Sequence, residues 1–63
     1  MTDERIDEIC AALASLIERL DDIALEALRE AVERGATARP EIERTVVRAR
    51  HALERALHLL EES

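Results

Sequence analysis

The sequence contains no Phe, Tyr, Trp or Lys, and it has only one Gly, one Pro and one Cys in 63 residues. A single Cys cannot form a disulfide within the chain, which excludes a disulfide-stapled scaffold. A single Gly excludes a glycine-rich phosphate-binding loop, because such a loop needs several glycines in one short segment. The chain also lacks the aromatic rings on which proteins stack unpaired bases. A chain of this length forms at most one domain.

The residues that are present favour α-helix. Hydrophobic residues make up 48% of the chain, charged residues make up 38%, and the formal net charge is −6. The most frequent types, Ala, Leu, Glu and Arg, are also strong helix formers. The apolar fraction is too high for a disordered acidic tail. The composition therefore predicts an all-α fold.

The N-terminal residues do not resemble a secretory signal. Asp3 and Glu4 follow the first two residues, whereas a signal begins with basic residues and continues into an apolar run. The longest uncharged run covers the nine residues 9–17, and a membrane-spanning helix needs about 20. We therefore expect a cytoplasmic protein that does not associate with membranes.

One short segment interrupts the helical pattern, at residues 35–39. Gly35 suits the left-handed backbone conformation that commonly follows the last turn of a helix. Pro40 suits the first turn of a new helix, where its missing N–H is not needed. Arg39, directly before the proline, is disfavoured in the helical conformation. The segment is therefore predicted to be a loop between two helices.

The interruption divides the chain into two helices of unequal length. We predict a first helix over about residues 3–34, with Thr2 as its N-cap, and a second helix over about residues 40–62. A loop this short joins antiparallel helices. The predicted fold is thus a single helical-hairpin domain over residues 1–63. The confinement of the only Gly and Pro to the loop would also suit a designed chain.

Each predicted helix carries a continuous apolar stripe. The apolar residues recur at steps of three and four, which is the spacing of one helix face. Two helices share only one seam, so part of each stripe stays exposed in a single hairpin, and a homodimeric four-helix bundle would cover it. We predict the oligomer interface to include Ile6, Ile9, Cys10, Leu13, Leu16, Ile17, Leu20, Ile23, Ile42, Val46, Leu53 and Leu60.

A second group of apolar residues lies beside the main stripe. It has two interpretations. It is part of a broad core face in a bundle, or it is a second interface for a higher oligomer or another protein, since exposed apolar patches usually mark contacts. The group consists of Leu25, Leu28, Val32, Val47 and Leu57.

His51, Glu54 and His58 form the only cluster of metal-ligand type. The two histidines are seven residues apart, or about 10.5 Å along a helix axis, too far to bind one ion. Both also project away from the apolar stripe. We therefore predict a solvent-exposed face, no bound metal and no cofactor, and keep a metal-binding bundle as an alternative.

A line of basic residues follows the outer face of the second helix. Arg44, Arg48 and Arg55 alternate with the two histidines at steps of three and four. Such a line can bind an acidic protein or nucleic acid, which is a further alternative function. The net charge and the lack of aromatic residues speak against nucleic acid. The line can also pair with an acidic helix of a neighbouring copy, since residues 1–34 carry ten acidic residues and only four arginines.

No arrangement in the sequence favours catalysis. The carboxylates of Asp21, Asp22, Glu26 and Glu30 are predicted to be exposed, whereas acid–base catalysis needs a shielded pair. Cys10 has no histidine one helical turn away, so we expect an inert thiol, with a reactive thiol or an interchain disulfide as the alternatives. The sequence therefore predicts a non-catalytic, self-associating helical module that binds itself and, in one interpretation, another protein.

Overall fold

The computed structural model describes residues 3–38 and 40–62. These residues form two α-helices, α1 over Glu4–Glu33 and α2 over Glu41–Glu62, and contain no strand. The all-α prediction is confirmed, and the helices begin and end within one residue of the predicted bounds. Within the same residues, neither helix is long and apolar enough to cross a membrane.

The N-terminus of α1 is capped by Asp3. Its carboxylate accepts a hydrogen bond from the backbone N–H of Arg5 at 2.9 Å, and its carbonyl accepts one from Asp7 N–H at 2.9 Å. An extended backbone at Asp3, with φ −94° and ψ 117°, is typical of a capping residue. Thr2, the predicted cap, lies outside the described residues.

The C-terminus of α1 ends in a Schellman motif. The N–H of Ala36 donates to the carbonyl of Ala31 at 2.9 Å, and the N–H of Gly35 donates to Val32 at 3.0 Å. Gly35 has a φ of 73°, in the left-handed region that glycine adopts without a steric penalty. The predicted role of this glycine is confirmed.

Pro40 stands directly before α2. Its carbonyl accepts hydrogen bonds from the backbone N–H groups of Glu43 at 3.1 Å and Arg44 at 3.4 Å. The proline therefore occupies the capping position of α2. It was predicted to lie inside the first turn, so the helix begins one residue later than predicted. The predicted conformation of Arg39 lies outside the described residues.

The two helices pack against each other as an antiparallel hairpin. Arg50 of α2 contacts Asp21 of α1, and Leu53, further along α2, lies beside Leu20, earlier in α1. This reversed order defines the antiparallel direction. Because α1 has 30 residues and α2 has 22, the hairpin is elongated, with a longest dimension of 52 Å.

The seam between the helices is tightest next to the loop. Ala31 and Val46 are the only buried apolar residues among those described, and the carboxylate-bearing Glu43 is buried with them. Small side chains at Ala27 and Ala31 let the helix axes approach closely there. Further from the loop the seam consists of half-buried residues, so one hairpin encloses only a small core.

The seam differs from the predicted stripe on α2. Ile42 and Ala49 are exposed, whereas Glu43 is buried and Arg50 is half-buried. The helix is rotated so that charged residues enter the seam and apolar residues leave it. Arg50 tolerates this position because its aliphatic stem packs on the seam while its charged end reaches acidic partners.

Candidate functional site

The most prominent surface feature is a row of apolar side chains along one side of the hairpin, and all of them except the half-buried Ala56 are exposed. On each helix the members are seven residues apart, the spacing that keeps side chains in one line along a helix that packs in a bundle. We call this surface the open face. It consists of Ile9, Leu16 and Ile23 on α1 and Ile42, Ala49 and Ala56 on α2.

The open face is continuous across both helices. One shallow groove is lined by Leu16, Ile23 and Leu53, and a second by Ile23, Ala27 and Ile42. Ile23 belongs to both grooves and is 49% exposed, while Ile42 across the seam is 53% exposed. Apolar residues of both helices therefore form one surface rather than two separate stripes.

On α2 the uncharged surface extends beyond the open face. Thr45, Ala52 and Leu59 lie one helical step further from α1, again seven residues apart, and all three are exposed. The side chain of Leu59 is 62% exposed. Because Ala49, Ala52 and Ala56 are small, another helix can approach this part of α2 closely.

The hairpin exposes more surface than its mass requires. Its accessible surface is 5272 Å2, whereas a compact protein of 7.1 kDa exposes about 4,100 Å2. The excess is about 1,200 Å2, and a standard interface between two proteins covers about 800 Å2 on each partner. The excess is therefore large enough for one interface of ordinary size.

The opposite side of the hairpin presents a smaller apolar surface. Leu28, Val47 and Leu57 are half-buried at the edge of the seam. Leu25 and Val32 are exposed, at 53% and 75%. The structure thus divides the predicted partner surface into three seam residues and two exposed residues, both of which are on α1.

The twelve residues of the predicted interface occupy three environments. Val46 is buried, and Ile9, Leu16, Ile23 and Ile42 are exposed on the open face. The remaining residues are half-buried, and they are Ile6, Cys10, Leu13, Ile17, Leu20, Leu53 and Leu60.

Acidic side chains border the open face on the α1 side. Asp22, Glu26 and Glu30 line the same groove as Ile23 and Ile42, and all three are exposed. Their spacing of four residues places them in one row along the helix. The row gives this edge of the open face a strong negative charge.

Basic side chains border the open face on the α2 side. Arg48, His51 and Arg55 surround Ala52 in a shallow depression on the outside of α2. Arg44 and His58 continue the same line and are also exposed. The predicted outward orientation of this basic line is confirmed, and the two edges of the open face carry opposite charges.

A polar cluster occupies the seam near its middle. Arg50 Nε lies 2.6 Å from Asp21 Oδ1 as a charge contact without hydrogen-bond geometry. A second nitrogen of Arg50 donates to Glu54 Oε1 at 3.2 Å. Sequence reasoning missed Arg50, although its position seven residues after Glu43 and seven before Leu57 indicates the seam.

The proposed metal ligands on α2 are not assembled into a site. Glu54 is engaged by Arg50, and both His51 and His58 are exposed on the outer face. Among the residues that the structure describes, no group of three His, Cys, Asp or Glu side chains is arranged to hold a metal ion. The thiol of Cys10 is free and half-buried in the seam.

The capping residue Asp3 forms a hydrogen-bonded ion pair with Arg5 at the start of α1. The guanidinium of Arg5 donates to both carboxylate oxygens, at 3.3 Å and 3.1 Å. These hydrogen bonds, together with that from the backbone N–H of Arg5, hold the pKa of Asp3 below its usual value. The Asp3 carboxylate stabilises the start of α1, and its side chain is 45% exposed.

Comparison of the chain with protein-family models, with curated proteins and with solved structures finds no match.

Proposed function

We propose that the protein is a non-catalytic, self-associating helical module whose open face docks on a second copy to form a homodimeric four-helix bundle. The observation that carries the proposal is the continuity of the open face across both helices, with Ile23 and Ile42 about half exposed on either side of the seam. A bundle places one such face of each hairpin against the other.

Burial of the exposed side chains supplies the driving force. Complete burial of an Ile or Leu side chain contributes about 1.5 to 3 kcal/mol. Ile9, Leu16, Ile23 and Ile42 are each 42% to 53% exposed, so covering them contributes about 1 kcal/mol apiece. Both copies present the same face, which is the arrangement of a two-fold symmetric interface.

The proposal includes a cytoplasmic location. It is supported by Cys10, which has no second cysteine in the chain with which to form a disulfide. A reducing compartment keeps such a thiol unpaired. Within the proposed bundle Cys10 is a seam residue with no role as a nucleophile.

Two matched substitutions on α1 test the proposed interface. Ile23 on the open face and Leu25 on the opposite side have nearly equal exposure, at 49% and 53%. Ile23→Glu places a charge in the proposed interface and is expected to reduce the solution mass to that of one chain, because an unpaired buried charge is strongly unfavourable. Leu25→Glu is expected to leave the two-chain mass unchanged.

Sedimentation velocity of the two variants and the unmodified chain gives the answer. The proposal is wrong if the unmodified chain has the mass of one copy, or if Leu25→Glu dissociates the assembly and Ile23→Glu does not. Far-UV circular dichroism of each variant verifies that the helices persist.

A second candidate function is binding of an acidic partner through Arg44, Arg48 and Arg55. It is supported by the exposure of all three side chains in one line. Binding to a labelled DNA duplex would then weaken steeply with salt, with a logarithmic slope of about −3 for three phosphate contacts. Binding that is absent, or that is unaffected by Arg48→Ala, would eliminate this candidate.

A further inference from the structure

We infer that the second copy docks with its loop at the same end of the bundle, so that α1 of each copy lies beside α2 of the other. This inference rests on the proposed function, since it specifies how the two open faces meet. Contact between the faces leaves two symmetric arrangements. A two-fold axis parallel to the helices puts both loops at one end, and an axis perpendicular to them puts the loops at opposite ends.

The two arrangements place different helices side by side. With the loops at the same end, each α1 contacts α2 of the partner. With the loops at opposite ends, α1 contacts the partner's α1 and α2 contacts the partner's α2. All neighbouring helices are antiparallel in both arrangements, so helix direction does not distinguish them. The charges along the edges of the open face distinguish the two arrangements.

The helices differ strongly in charge. α1 contains nine acidic residues and three arginines, a net charge of −6, while α2 contains five acidic residues and four arginines, a net charge of −1. The edge of α1 carries Asp22, Glu26 and Glu30, and the outer face of α2 carries Arg44 and Arg48. Pairing α1 with α2 of the partner brings opposite charges together.

The acidic and basic residues also lie at matching positions along the bundle axis. The contact between Asp21 and Arg50 fixes the register of the two helices within one hairpin. Five residues closer to the loop, Glu26 is level with α2 between Arg44 and Arg48. An axis parallel to the helices preserves these heights, so Glu26 of one copy lies level with the same arginines of the other.

The alternative arrangement brings like charges together. It places the acidic α1 against its own copy, and it places the arginine line of α2 against itself in the reverse direction. Like charges facing each other across an interface are unfavourable, and they select against an otherwise apolar fit. The charges therefore favour the arrangement with both loops at one end.

A distance measurement across the loops distinguishes the arrangements. Ala36 is exposed in the loop, so a spin label there leaves the helices undisturbed. The variant Ala36→Cys in a Cys10→Ser background carries a single label on each copy. With both loops at one end, the labels are separated by about two helix diameters, or about 20 Å. With loops at opposite ends, they are separated by at least the length of α2, about 33 Å for its 22 residues.

Double electron–electron resonance on the labelled protein is expected to give a principal distance near 20 Å. A distance above about 33 Å, together with a two-chain mass, would overturn the inference and leave the proposed function standing. An absence of dipolar coupling together with a one-chain mass would overturn both.

A charge exchange tests the same arrangement without labels. Arg48→Glu faces the acidic edge of the partner twice in each dimer, and it is expected to raise the dimer dissociation constant about tenfold. Adding Glu26→Arg restores the opposite charges and is expected to recover most of the loss. The arrangement would be contradicted if Arg48→Glu left the dimer dissociation constant unchanged. It would also be contradicted if the double variant dimerised more weakly than Arg48→Glu alone and Glu26→Arg alone.

Discussion

Single residues determine where each helix begins and ends. Gly35 is in the left-handed conformation, and Asp3 and Pro40 provide the first hydrogen-bond acceptors of the two helices. These residues have local roles that depend on their own chemistry and not on distant contacts. For this reason the sequence predicted the ends of both helices to within one residue.

Replacing Gly35 tests the importance of the left-handed turn. Apart from its two neighbours in the chain, no residue has a heavy atom within 4 Å of the position that a Cβ would take at Gly35, so only backbone strain opposes a side chain there. We expect Gly35→Ala to lower the free energy of unfolding by about 1 kcal/mol. Gly35→Asn is the matched control and should be milder, because Asn tolerates this conformation better. Thermal unfolding followed at 222 nm measures both, and equal stability of Gly35→Ala and the unmodified chain would refute the strain argument.

The cap at Asp3 makes the start of α1 sensitive to acid. Its pKa is lower in the folded chain than in the unfolded chain, so its stabilising effect is complete above the unfolded-state pKa. The effect is lost as the pH falls through the lowered folded-state pKa. We expect helix content to decrease more on acidification for the unmodified chain than for Asp3→Asn, which cannot titrate at this position. Circular dichroism between pH 6 and pH 2 compares them, and parallel curves would contradict the role of the carboxylate.

At the scale of the helices, the sequence predicted the hairpin but not the rotation of α2. The spacing of apolar residues defines a broad face on each helix, and several rotations bury similar amounts of it. The rotation that α2 adopts pairs Arg50 with Asp21 across the seam and with Glu54 one turn away. Such pairing involves both helices at once, so the periodicity of either helix alone does not contain it.

Two valines of contrasting burial test the position of the seam. Val46 is 6% exposed and Val32 is 75% exposed. Val46→Ala leaves a cavity in the seam and is expected to lower the free energy of unfolding by about 2 kcal/mol. Val32→Ala should change it by less than about 0.5 kcal/mol. Chemical denaturation measures the difference, and similar losses from both substitutions would show that the seam has been placed incorrectly.

For the whole molecule, the central feature is the imbalance between a thin core and an extended apolar surface. Only Ala31 and Val46 are buried apolar residues among those described, whereas Ile9, Leu16, Ile23 and Ile42 are all at least 42% exposed. In the dimer that we propose, two copies bury this surface against each other. The oppositely charged edges of that surface then orient the copies.

The most direct test of this account is the solution mass of the unmodified chain, measured by light scattering over a hundredfold dilution. Refractive index must report the concentration, because the chain has no Trp or Tyr to absorb near 280 nm. We predict twice the chain mass of 7.1 kDa at high concentration, decreasing toward one chain on dilution. A constant mass of 7.1 kDa at every concentration, from a chain that still unfolds cooperatively, would contradict the account.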